Sequence, residues 1–206
     1  MKLLFWLYRS SSTEFKIVLI TLVVLITLPT FTIVVAAASG ASIVGNALAL
    51  VNPVTRLVEL FDTNGNKVGD VELSVNWPVR GVVTDEFGTH EQWRTLLGLG
   101  VHSGIDIGVK KGTPITPFMV GNILSVDNID DSSCGKSVRL KHAHNITSFY
   151  CHLDSAVDLA EDTPVKPGDV IGYVGSTGTS TAPHLHFGTQ VYGVLVNPRT
   201  FMVGEP

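Results

Sequence analysis

The sequence predicts an all-β domain, an antiparallel sheet or sandwich carrying a groove, preceded by one N-terminal transmembrane helix. Three observations predict this class. The run 17–38 is apolar, uncharged and long enough to cross a bilayer core as a helix. From Trp77 onward, short segments rich in β-branched and aromatic residues alternate with Gly and Pro. No amphipathic helical repeat of convincing length interrupts them, and short strands at regular spacing close into sheets or sandwiches.

Residues 1–16 carry Lys2, Arg9 and Lys16, and no Lys or Arg follows the apolar run before Arg56. That asymmetry predicts a cytoplasmic N-terminus and an external domain. Pro29 falls inside the run, where a membrane helix tolerates it with a kink. Small residues at Ala36-Ala37-Ala38, followed by Ser39, keep a cleaved signal peptide open as the alternative to an anchor. Both readings export the domain.

Residues 39–53 are small and uncharged, and read as a helix extension or linker. Residues 54–76 read as a β-hairpin spacer, or an added edge of the main sheet. Its two strand-like runs, Thr55 to Phe61 and Lys67 to Val75, flank Asp62-Thr63-Asn64-Gly65-Asn66, and Asn-Gly suits the positive φ of a tight turn. Residues 77–206 form the predicted domain, with strands at Gly81 to Thr84, Ile105 to Val109, Gly121 to Val126, Ser137 to His142, Ile146 to His152, Val170 to Val174 and His184 to Val191. Ala143 to Asn145 reads as a hairpin tip.

The domain holds nine Lys/Arg against thirteen Asp/Glu, without a basic stripe, which argues against nucleic acid as a partner. The chain has two Cys, too few for a closed Cys-rich metal site. Their even number and exported setting predict a Cys134–Cys151 disulfide across the predicted hairpin.

The residues that carry chemistry are His102 and Asp106, in His-Ser-Gly-Ile-Asp, and His184 and His186, in Pro-His-Leu-His-Phe. Catalytic zinc takes three His, Asp or Glu ligands and leaves one position open. Residues two or four apart on a strand project from one face, so His184 and His186 share a groove, as do His102 and Asp106 if their segment is extended. By the same alternation, Cys151 faces away from the groove if His152 faces into it, which weakens a thiol-nucleophile reading of that Cys-His pair. His90, His142 and His144 read as ordinary residues, the last two at the solvent-exposed hairpin tip.

His-x-x-x-Asp, a later Tyr150-Cys151-His152-Leu153, and Gly175-Ser176-Thr177-Gly178-Thr179-Ser180-Thr181-Ala182-Pro183-His184-Leu185-His186-Phe187 together resemble the LytM/lysostaphin-type zinc endopeptidases of peptidase family M23. The resemblance runs from about Trp77 to Met202. It implies zinc held by His102, Asp106 and His186, an unliganded catalytic pair His152 and His184, and peptide stems or cross-bridges of bacterial peptidoglycan as substrate. The chain departs from the family pattern at Ala182, at Gly188 in place of Glu, and at Thr116-Pro117-Phe118-Met119. It also has no Tyr between Tyr8 and Tyr150, where some relatives carry one shortly before the first motif. A non-catalytic wall-binding or hydrolase-activating module is the rival function, and a Cys151 peptidase the third.

Overall fold

The computed structural model describes residues 47–89 and 100–206. Among the described residues no helix is long and apolar enough to cross a membrane, and the predicted span 17–38 lies outside them. So does His90.

The described elements are strands, apart from the helical residues Ala47 and Leu48 and two short 3-10 turns at Ala143–Asn145 and Pro198–Phe201, and the strands pair antiparallel throughout. The predicted all-β domain is therefore what the described residues after Leu48 build. The first three strands are β1 (Ala49–Val51), β2 (Leu57–Phe61) and β3 (Lys67–Glu72), which form a sheet of their own in that order. The hairpin does not add an edge to the main sheet, and in the stretch read as a helix extension or linker Ala47 and Leu48 are helical and Ala49–Val51 is a strand. The β2–β3 turn conforms to its sequence: Gly65 sits at φ 83°, and Asp62 Oδ1 accepts from the backbone N–H of Asn64 and Asn66, each at 2.9 Å. Leu48, Val58 and Leu60 of this region are buried in the same hydrophobic cluster as the rest of the chain.

The main sheet positions the site. Its strands are β4 (Val82–Asp85), β5 (Ile105–Gly108), β7 (Gly121–Asp127), β8 (Ser137–Lys141), β9 (Ile146–Cys151), β11 (Pro164–Val165), β13 (His184–Val191) and β14 (Val194–Val196). Their order is β11-β7-β8-β9-β13-β5-β4, with β14 paired to β13. A smaller sheet of β10 (Leu153–Ala156), β12 (Gly172–Val174) and β6 (Pro114–Ile115) contributes Leu153, Val174 and Ile115 to the shared core.

Alternation along the central strands sorts the two faces. Leu185, Phe187 and Val191 of β13, Ile105 and Ile107 of β5, Tyr150 of β9 and Val138 and Leu140 of β8 are fully buried. Burying an aliphatic or aromatic side chain of this size is worth roughly 1.5–3 kcal/mol. This inner face holds the register, because a one-residue slip would turn the apolar set into the groove. The outer face of the same strands presents His184, His186, Asp106, Phe149 and Arg139 to one groove. Phe118, a departure from the family pattern, packs into the core against Phe187, Phe201 and His142 and does not line the groove.

Candidate metal centre and its groove

His186 lies in the middle of the main sheet, directly opposite Asp106 on β5 and Cys151 on β9. His186 Nδ1 is 2.7 Å from Asp106 Oδ1, and His102 Nε2 is 3.0 Å from each of those atoms. The segment from His102 to Asp106 is not extended: four residues of strand would separate its ends by about 13 Å. The chain turns there instead, with Gly104 backed against the main chain of Phe187 so closely that a Cβ would collide with it. That turn brings the His102 ring over Asp106.

Ring-nitrogen partners define which atom of each imidazole faces the groove. A main-chain carbonyl only accepts, so His102 Nδ1 donates to Glu86 O at 2.8 Å, His152 Nδ1 to Thr177 O at 2.8 Å, and His184 Nδ1 to Ala182 O at 2.8 Å. Asp85 Oδ2 also lies 3.3 Å from His102 Nδ1. Nε2 of all three rings then carries the lone pair. His186 is reversed: Nε2 lies 3.2 Å from Ser103 Oγ, which can accept its proton and leave Nδ1 as the donor atom. With both imidazoles neutral, three electron-pair donors of His102, Asp106 and His186 thus converge within hydrogen-bond distance, and neither ring proton lies between them. A cation relieves that repulsion, and their nitrogen and oxygen chemistry fits zinc with one position open.

Burial alone would raise the Asp106 carboxyl; an imidazole of His102 or His186 that carries a proton toward it holds it well below the usual carboxylate range. Burial pushes His186 down, outweighing the pull of Asp106. His152 is pushed down to about 4, first by burial and then by the neighbouring His184 and His186, so it is neutral at neutral pH. The rings of His152 and His184 are 4.7 Å apart, and His184 Nε2 is 3.6 Å from Asp106 Oδ2.

The structure therefore brings all five sequence-predicted site residues together: Asp106, His152, His184 and His186 line one groove, and His102 is buried against Asp106 and His186. Two expectations need correction. Cys151 and His152 both border that groove, because His152 adopts a left-handed φ of 64° that ends the strand alternation. Cys151 is joined to Cys134, with Cα atoms 5.0 Å apart, and is not a free thiol. His142 is buried rather than solvated, while His144 is exposed. Sequence reasoning missed Ser103, Thr177, Arg139 and Phe149. Ser103 lies inside the first motif and could have been noticed; Thr177 acts through its carbonyl, which leaves no side-chain signature.

A donor triad facing two further imidazoles in an open groove is the class of site that a metal-dependent hydrolase uses. Residues 100–198 match the model of Peptidase family M23, and the chain carries an M23 peptidase-family domain. The chain is 39% identical over 106 residues to the DD-carboxypeptidase/endopeptidase Mpg of Neisseria meningitidis, covering 52% of this chain and 24% of that protein. It is 33% identical over 126 residues to the murein hydrolase activator NlpD of Escherichia coli, covering 61% of this chain and 30% of that protein. It thus spans about a quarter to a third of these relatives' length. Among solved structures, a variant of the catalytic domain of the prophage-encoded M23 protein EnpA from Enterococcus faecalis aligns with TM-score 0.53 at 29% identity, over 63% of this chain and 97% of that one.

Proposed function

We propose that this protein is a zinc-dependent endopeptidase that hydrolyses peptide stems or cross-bridges of bacterial peptidoglycan, with His102, Asp106 and His186 as ligands and His152 and His184 as the catalytic pair. The observation that carries the reading is the convergence of three lone-pair donors beside two imidazoles, His152 and His184, whose Nδ1 atoms are held by main-chain carbonyls, which leaves Nε2 of each for chemistry. Zinc bound there lowers the pKa of water toward neutrality and polarises the scissile carbonyl. The remaining work belongs to the chain. His152, neutral and held by Thr177 O, offers Nε2 to take the proton released as water attacks and to return it to the leaving amine. His184 presents Nε2 from the neighbouring strand and, when protonated, donates to the oxygen that gains charge. Membrane attachment through residues 17–38, with the domain outside the cell, is part of the proposal and rests on the charge asymmetry around that run.

A binding or hydrolase-activating module is the second reading, favoured by the similarity to a protein named as a murein hydrolase activator. The complete donor set and the second imidazole pair favour the enzyme. Digestion of purified walls decides between them. The proposal expects new peptide termini, loss of activity with a chelator, and recovery on adding zinc; a zinc-loaded protein that binds walls without cleaving them would establish the module.

A further inference from the structure

Beyond the donor set, the groove floor carries a row of residues that the hydrolytic chemistry leaves unused. Arg139 on β8 stands opposite Phe149 on β9, which stands opposite Gly188 on β13. This row is one side-chain repeat, about 6.6–6.8 Å, from the Cys151–His186 row beside the donors. The Phe149 ring lies over Gly188 so closely that a Cβ at 188 would overlap it. The Phe149 centroid is 5.6 Å from the guanidinium carbon of Arg139 and 5.8 Å from the His186 centroid. Phe149 therefore fills the place of a side chain at 188, touches the donor His186 on one side and steadies a cation on the other.

Arg139 is the one Lys or Arg among the described residues lining the groove, and no carboxylate among the described residues pairs with it. On the next row, Gln190 Oε1 accepts from the Thr147 hydroxyl at 3.2 Å, which leaves the Gln190 amide N–H groups as donors. The floor thus offers a planar, bidentate cation on β8, two strands across the sheet from His186 on β13, and a further amide donor on β13 itself.

We propose that Arg139 is a specificity-determining residue that binds a free carboxylate on the peptide in the groove, one to three residues from the bond aligned with the donors. Phe149 separates the guanidinium from the His186 ring, at 5.6 Å from one and 5.8 Å from the other, and an extended peptide advancing about 3.3–3.6 Å per residue spans that interval in about three residues. The preferred ligand is an acidic stem peptide; an uncharged bridge leaves the guanidinium without a partner. The inference rests on the peptide-binding reading of this groove.

The test uses the zinc-loaded full-length chain carrying His152→Ala, so that binding is read without turnover, and peptides bearing one carboxylate one, two or three residues from the scissile bond. Each is compared by calorimetry with its carboxamide twin. In one of the three positions the acid should bind about tenfold more tightly than the amide. Arg139→Gln should bring that ratio to within twofold of one, and Arg139→Lys should retain part of it. Arg80→Gln, outside the groove, should keep it. Equal binding of every pair, no binding of any, or a preference that survives Arg139→Gln overturns the inference. Cleavage by the unmutated chain is scored separately: cleavage without preference removes Arg139 alone, and preference without cleavage removes the peptidase reading alone.

Discussion

Ser103 Oγ lies 3.2 Å from Nε2 of His186, on the far side of the ring from the Nδ1 that approaches Asp106 to 2.7 Å. The hydroxyl selects the tautomer that exposes Nδ1. Loss of such an outer partner typically costs about 10–100-fold in metal affinity. Ser103→Ala should therefore weaken zinc by about tenfold in a chelator competition, and Ser103→Thr should restore most of it. Unchanged affinity in Ser103→Ala would place the selection of that tautomer elsewhere.

The Cys134–Cys151 bond closes a loop beside the groove, and the carbonyl of Cys134 accepts the backbone N–H of His152 at 2.8 Å. Its sequence separation is 17 residues, for which a disulfide contributes about 3 kcal/mol. Cys134→Ser should lower the free energy of unfolding by about that amount and reduce turnover more than zinc content. Denaturant titration with thiol counting checks both, and two free thiols in the unreduced, denatured protein would contradict the bond.

Gly188 and Phe149 are coupled because a side chain at 188 has to displace the ring. Gly188→Ala should cost about 1–3 kcal/mol, as overpacking does. It should also disturb His186, which the ring touches. Adding Phe149→Ala to Gly188→Ala should cost less than the two single changes together, a coupling that a double-mutant cycle measures.

His142 is a core residue, with Nδ1 donating to Val120 O at 2.9 Å and Nε2 2.7 Å from Ser148 Oγ. Burial pushes it down to about 4 from an unfolded value near 6.5. Between those values the unfolded chain binds more protons, so stability rises with pH across this window. The contribution is fully present above about pH 6.5 and lost as pH falls through 4, a difference of about 3 kcal/mol. His142→Gln should flatten the stability profile by that amount between pH 4 and 6.5, measured by urea unfolding at fixed zinc; an unchanged slope would contradict the assignment.

The seven strands predicted from Trp77 onward were readable because β-branched and aromatic alternation is strong there, and their ends fall within a residue or two of the structure. The two-residue pairings at Pro114–Ile115 and Pro164–Val165 are too short to carry a period. The donor set was visible because His and Asp at motif spacing are chemically specific. The Cys151 orientation was misread because alternation assumes extended backbone, and His152 departs from it at a φ of 64°. Arg139 and Phe149 sit in an ordinary strand sequence; only the cross-strand register shows that they share the groove.

Zinc content and wall hydrolysis measured side by side in His186→Ala and His152→Ala test the central claim most directly. His186→Ala removes one of three donors, so metal and activity should fall together. His152→Ala leaves the donors intact, so zinc should stay near one per chain while turnover drops by about a hundredfold or more. A His152→Ala protein that loses its metal, or a His186→Ala protein that keeps both metal and activity, would contradict the account.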